Sequence, residues 1–192
     1  LNCEIIFVDN NSNDGTYEEV IRLCNLEKIK NLYLYKYNID VFPSGEEHAK
    51  HYKNNYSRSL ANYYNWCVEK ANNFYFIKWD CDFYGITDNI IEMILKYNLH
   101  TSDENQSIWF SGKTLFNDGE NYYINTDTRY NEFRLFSKKH GANYINVPKW
   151  EIIDKDYLKN TKRKVFTKSL FLEFKICTKI KLRDNFRDSH DN

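Results

Sequence analysis

The sequence predicts an α/β fold whose mixed, mainly parallel sheet is flanked by helices and carries an antiparallel C-terminal portion. Three observations predict it. Cys3 to Val8 is a short apolar, β-branched run that stops at Asp9 and passes through a polar loop into helical periodicity, half of a βαβ unit. Phe74 to Gly85, F-Y-F-I-K-W-D-C-D-F-Y-G, is a second β-prone run that also follows a helical pattern. Asn117-Asp118-Gly119 separates two β-prone stretches, a hairpin signal, and only short strand-like runs come after it.

The elements follow in order. Asn10-Asn11-Ser12-Asn13-Asp14-Gly15 is dense in turn formers. Thr16-x-x-Glu19 matches a capping box, and Tyr17, Val20, Ile21 and Cys24 then fall at helical spacing. Leu32 to Tyr37 reads as a strand, and Asn38 to Asn55, with Pro43, Gly45, His48, Lys50, His51 and Lys53, as a loop. Leu60, Tyr64, Cys67, Val68 and Ala71 line one side of a helix over about Tyr56 to Ala71, which feeds the strand carrying Asp80 and Asp82. Thr87 caps a third helix with Ile90, Ile91, Ile94 and Leu95 inward. Ile108 to Phe110, Phe133 to Phe136 and Tyr144 to Val147 read as short strands. Lys155 to Arg183 carries ten lysines and arginines interleaved with Val165, Leu170, Phe171, Phe174, Cys177 and Ile180. This reads as a basic amphipathic helix, either closing the domain with a solvated basic face or lying on an anionic membrane surface.

Composition bounds the function. At 192 residues the chain fits one domain with a sizeable core, and no linker or repeat interrupts it. Lysine plus arginine equals aspartate plus glutamate at 27 each, so no global field favours nucleic acid. The five cysteines are scattered and form no C-x-x-C pair, which argues for free thiols in a reducing compartment. No apolar run approaches the ~20 residues of a membrane span, and no signal peptide is visible. The expected location is cytoplasmic, with the basic helix as a possible peripheral contact to a membrane.

Asp80 and Asp82 carry the clearest chemistry. In a strand, residues two apart share a face, so both carboxylates are expected to point one way at the strand's carboxyl end, where open α/β sheets bind ligands. Such a pair suits Mg²⁺ or Mn²⁺ bridged to a diphosphate; an isolated D-x-D also reads as a plain strand-to-loop turn.

The run from Glu4 to Thr16, E-I-I-F-V-D-N-N-S-N-D-G-T, resembles the E-I-I-V-V-D-[DN]-[GN]-S-x-D-G-T signature of the GT-A fold, family 2 glycosyltransferases. Ser57 and Asn65 precede Phe74 to Asp82 much as that family's S-x-x-R-N-x-G helix precedes its F-L-D-x-D strand, and the fifteen-residue step from Asn65 to Asp80 fits. Glu132 to Phe136 is similar to an E-x-R-L-F segment of some members, and Trp150-Glu151 falls where a late catalytic carboxylate is found. The chain departs from the family at Asn10, Tyr64 and Cys67, where aspartate, arginine and glycine are common, and it begins after the strand bearing a P-x-Y-N loop. That start, without an initiator methionine, suggests a fragment.

The resemblance implies a GT-A-like (Rossmann-like) single domain over residues 1–192. Its nucleotide- and metal-binding half would span about 1–85, its acceptor half about 105–152 and a C-terminal helical tail about 153–192. The implied activity is transfer of a hexose-like sugar from a nucleotide diphosphate-sugar to a hydroxyl of a glycan, lipid or protein, with inversion, in glycan biosynthesis. Mn²⁺ or Mg²⁺ would sit on Asp82 and Asp80, with Asp80 also catalytic or touching the donor ribose. Asp9, Asn10, Asp14, Arg58 and Asn65 would line the nucleotide site, joined by Lys53. Glu151 is the implied base, Asp154 and Glu132 being alternatives. Arg134 would position a phosphate or pair with a buried carboxylate.

Two other classes fit part of the pattern. In a haloacid-dehalogenase-like phosphatase Asp80 would be the nucleophile, Asp82 the acid/base and Ser111 the second motif, but the later lysine and acid motifs are missing. A degenerate GT-A-like domain would bind without catalysis. No G-x-G-x-x-G supports a dinucleotide enzyme.

Overall fold

The structure, a computed structural model, describes residues 3–117, 119, 121–124 and 132–176. In chain order the elements are β1 (Ile5–Asp9), α1 (Thr16–Glu27), β2 (Leu32–Lys36), α2 (Glu46–His51), α3 (Leu60–Lys70), β3 (Tyr75–Ile77) and β4 (Phe83–Gly85). They continue with α4 (Thr87–Lys96), β5 (Gln106–Asn117), β6 (Tyr122–Ile124), β7 (Glu132–Ser137), β8 (Tyr144–Asn146), β9 (Glu151–Ile153), α5 (Lys155–Lys159) and β10 (Lys162–Ile176). Single 3-10 turns occupy Tyr56–Arg58 and Lys138–His140. The chain forms two compact units, residues 1–76 with 137–161 and residues 77–136 with 162–192. Among the described residues no helix is long and apolar enough to cross a membrane.

In the first unit β1 and β2 pair in parallel from Ile5↔Leu32 to Asp9↔Lys36, the βαβ arrangement expected of the opening sequence. The capping box does not form. Thr16 is the first helical residue, its amide and hydroxyl both donate to Asp14, and Glu19 pairs with Arg22 instead. Residues 46–51, expected within a loop, form the short helix α2, whose His48 is wholly buried. The expected helix from Tyr56 starts at Leu60, after the 3-10 turn.

The start of α3 shows why the polar residues before it are there. A helix leaves its first amides without backbone partners. Here Leu60 N donates to His48 Nε2, Ala61 N to Asn146 Oδ1 and Asn62 N to the Ser59 hydroxyl, at 3.4, 3.1 and 3.3 Å. The other His48 nitrogen lies 3.1 Å from the Pro148 carbonyl. Tyr37, Leu60, Ala61, Tyr144, Ile153 and Tyr157 fill the core around this junction.

The curled sheet, which lies in the second unit except for Tyr75 and Phe76 of β3 and Ser137 of β7, has the order β3-β7-β5-β10-β4, with β6 also on β5. β5 and β10 run parallel in it; β4 on β10, and β6 and β7 on β5, are antiparallel. Mixed α/β structure with an antiparallel portion holds, then, but the sheet is not mainly parallel. Residues 162–176 form a strand, which corrects the basic helix expected there; residues 177–183 of that stretch lie outside the described residues. Phe171 and Leu170 enter the core from this strand, beside Ile108 and Phe110 of β5, Leu135 of β7 and Met93 of α4. In α4 Thr87 is the first helical residue with no side-chain cap, and Ile91 and Leu95 face outward at 38% and 53% exposure while Met93 is buried.

The curl follows from one short connection. In a flat sheet of five strands the edge strands stand about 19 Å apart. Yet residues 78–82 alone join β3 to β4, and they spend part of their reach in a tight turn, where Phe83 N donates to Asp80 O at 3.0 Å. The sheet therefore rolls its two edges toward each other.

Gly112 makes the packing inside the curl possible. A Cβ there would stand 2.1 Å from the Phe171 ring, which itself stacks on Phe83 at 3.9 Å and 7°. Gly112→Ala should lower stability by about 1–3 kcal/mol through overpacking, read as a lower urea midpoint at constant slope. An unchanged midpoint would mean that the Phe171 ring yields freely.

Candidate functional site

Asp80 and Asp82 do not lie in a strand. The expected single strand from Phe74 breaks after Ile77, and both aspartates fall in the turn before β4. Alternation is therefore not what orients them. Both nevertheless line one cavity of about 320 Å³ inside the curl, together with Phe83, Gly112, Thr114, Arg134, Phe171 and Glu173. Gly112 and Thr114 share a face of β5, Phe171 and Glu173 share a face of β10, and the register sets Phe171 against Gly112 and Glu173 against Thr114. The Thr114 hydroxyl donates to Glu173 Oε2 at 3.0 Å.

The two aspartates have different surroundings. Arg134, 8% exposed on β7, donates from Nη1 to Asp80 Oδ2 at 2.7 Å, and Lys78 Nζ stands 3.4 Å from Asp80 Oδ1. The Arg134 guanidinium also lies over the Phe83 ring at 4.7 Å. Burial pushes the Asp80 carboxyl up, but Lys78 and the hydrogen-bonded Arg134 outweigh it and hold the group below the ordinary aspartate range. Asp82 is exposed; its carbonyl accepts from Phe174 N at 3.1 Å, and no hydrogen bond or ion pair among the described residues engages its carboxylate.

The first unit holds the remaining candidates. Asp9 closes β1 at 3% exposure; its Oδ2 accepts from Ser12 N at 3.2 Å, while its Oδ1 is buried with no hydrogen-bond partner. Asn10 spends its amide on the Tyr37 and Ile39 carbonyls. Asp14 Oδ1 accepts from the Thr16 hydroxyl and amide just before α1, and these bonds lower its pKa. Asn65 clamps β8, donating to Tyr144 O at 2.9 Å and accepting from Tyr144 N at 2.7 Å. Tyr64 packs its ring on Tyr63 and Tyr144, and burial pushes the Cys67 thiol up to about 12.

A larger, more open cavity of about 510 Å³ in this unit is lined by Phe42, Glu47, His51, Asn55 and Arg58 among others. Its arginine already donates from Nε to Asp40 O at 2.8 Å and lies over the Phe42 ring at 4.4 Å. Lys53 is exposed beside Tyr52. Glu151 opens β9 next to the exposed Trp150, and Asp154 caps α5 by accepting from Asp156 N at 2.9 Å. Ser111 is buried in β5, and the Glu132 side chain lies outside the described residues. Three carboxylates and a buried arginine line the smaller cavity of the second unit, whereas the larger one has a single carboxylate, so the smaller is the candidate site.

Lys78, Thr114 and Glu173 are site residues that the sequence reading missed. The Phe171-x-Glu173 spacing in an apolar, period-two run was the signal for Glu173, hidden by reading the segment as a helix. Among the described residues no three His, Cys, Asp or Glu side chains cluster as a complete cation site. The four described cysteines are free thiols. No known protein family matches this chain, and no curated protein matches it.

Asp80→Asn keeps the shape but removes a negative charge that a buried arginine and Lys78 both face. With Asp80 about 35% exposed and solvent-screened, the expected loss is about 1–3 kcal/mol at neutral pH. A depressed folded pKa gives stability that is whole above the unfolded value near 3.9 and is lost as pH falls below it. The stability gap between wild type and variant, measured by urea titration, should therefore close below about pH 4; a gap independent of pH would overturn the ion-pair assignment.

Proposed function

We propose that this chain is a glycosyltransferase that moves a sugar from a nucleoside diphosphate-sugar to an acceptor hydroxyl with a divalent cation. The single observation that carries the reading is the convergence of Asp80, Asp82, Glu173 and Arg134 on one cavity, with the motif resemblance at Glu4–Thr16 beside it. An acidic turn next to a buried guanidinium suits a ligand that is itself a cation bound to a diphosphate.

The donor set fits such a group. Asp82 would hold the cation directly, its carboxylate being unengaged, and Asp80 would approach it from the same turn. Too few carboxylates cluster to complete the shell, so phosphate oxygens must supply the rest, as Mg²⁺ sites commonly require. When bound, the cation offsets the charge that builds on the leaving diphosphate.

The chain's own residues do the remainder. Arg134, preorganised by Asp80 and by the Phe83 face, presents donors to phosphate oxygens without reorganising. Glu173 is the carboxylate that the second unit itself brings into the cavity, and we assign it the acceptor's proton in place of Glu151. Phe83 and Phe171 form an apolar wall that excludes water from the diphosphate.

Asp82→Ala should abolish any Mn²⁺-dependent rise in melting temperature with nucleoside diphosphates and reduce transfer at least about a hundredfold, with the far-UV spectrum unchanged. If wild type shows no Mn²⁺-dependent rise with any common nucleoside diphosphate, the reading fails. Glu173→Gln should keep that rise and lower kcat about 10²- to 10⁴-fold. An unaltered kcat would return the proton-accepting role to another carboxylate.

A further inference from the structure

The first unit holds a cavity that the proposed reaction does not use. It measures about 510 Å³, within the range of small-molecule sites, and is lined wholly by residues between 41 and 58. Arg58, half-buried in its wall, is held at three points. Its carbonyl accepts from Phe42 N at 2.9 Å, its Nε donates to Asp40 O at 2.8 Å, and its guanidinium lies over the Phe42 ring at 4.4 Å. Nη1 and Nη2 make no hydrogen bond or ion pair among the described residues. A fork fixed in this way can meet a flat oxyanion with two parallel N–H bonds and little ordering cost.

The rest of the lining narrows the ligand. Glu47 pairs with His51 at 3.2 Å, and the His51 ring stacks on Phe42 at 5.2 Å and 30°. Asn55 Oδ1 accepts from the Ser57 hydroxyl, which leaves its N–H groups, like the whole Asn54 side chain, without a hydrogen bond among the described residues. A phosphate dianion would meet the Glu47 carboxylate with a single arginine to offset it. A carboxylate carries one charge and matches the plane of the fork. Hydroxyls beside it find acceptors and donors in Glu47, Asn54 and Asn55, and apolar C–H groups find the Phe42 edge.

We propose that this cavity binds a sugar acid, hydroxyl-bearing carbons ending in a carboxylate, and that Arg58 grips the carboxylate through Nη1 and Nη2. The site shares no residue with the cavity of the second unit, so the inference stands apart from the transferase reading. Titration of the whole chain with glucuronate, glucose and glucose 6-phosphate, followed by amide chemical shifts, tests it. Glucuronate should bind at least about tenfold tighter than either of the others, as a charge-assisted pair implies, with its shifts centred on residues 41–58. Arg58→Lys keeps the charge but loses the fork, and should weaken glucuronate about tenfold while leaving glucose unchanged. Asn54→Leu, at an exposed position, should weaken glucuronate several-fold and carries the test if Arg58→Lys does not fold. Glucose or glucose 6-phosphate binding as tightly as glucuronate, shifts centred elsewhere, or wild-type affinity in a folded variant overturns the inference. So does the failure of all three compounds to bind.

Discussion

The five-residue link between β3 and β4 is the constraint on which the second unit depends. Both strands belong to one sheet but to its opposite edges, so the sheet must bend to the length of the link rather than the link to the width of the sheet. A bend of this kind needs a fastener, and Asp80 is placed to be one. Its carbonyl closes the turn on Phe83, and its carboxylate is gripped by Arg134 from β7 and Lys78 from the link. One residue therefore fixes the turn locally through backbone and globally through charge. Breaking such a part-buried pair costs more than the pair gains, which makes the arrangement specific even where it adds little net stability.

The same bend creates the cavity. Concave sheet faces crowd their side chains, and the crowding is relieved at Gly112, where the absence of a Cβ lets the Phe171 ring lie against the backbone and stack on Phe83. The apolar floor is thus packed to contact while Asp82, Thr114 and Glu173 keep polar groups at the walls. The register shifts of β10 between Val165 and Phe171 belong to this geometry, since a parallel pair that must coil strongly accommodates it by slipping register. Packing and polarity are divided between alternate positions of the same two strands. A period of two is the only sequence device that allows this.

Local signals in the sequence were legible and long-range ones were not. The β1–loop–α1 segment, the strands at β2 and β5, the β5–β6 hairpin and the presence of helices at α3 and α4 follow from runs, turn formers and periodicity that act within a dozen residues. Asp80 and Asp82 marked a possible turn after Phe74, but that the residues on either side of it serve two different edges is decided only by their partners, β7 on one side and β10 on the other. The basic run at β10 was misread for a related reason. Its lysines suggested a solvated helix face, whereas its β-branched and aromatic residues pair along the full length of β5. In the site, Asp80 and Asp82 stood out by chemistry, although the strand alternation invoked to align them is absent. Glu173, Thr114 and Lys78 come together only through sheet register, which no single segment encodes.

The α3 start in the first unit illustrates how charge and capping divide the labour of binding. A helix N-terminus with open amides is a ready anion site. Here His48, Asn146 and Ser59 seal those amides, so the start of α3 is closed to an anion. In the second unit Arg134 is held by Asp80, whose carboxyl Lys78 and Arg134 together keep below the ordinary aspartate range against the opposing effect of burial. Arg134 and the carboxylates of Asp80, Asp82 and Glu173 line one cavity, with Lys78 set against Asp80, so an ion or a ligand oxygen that enters it meets charges of both signs.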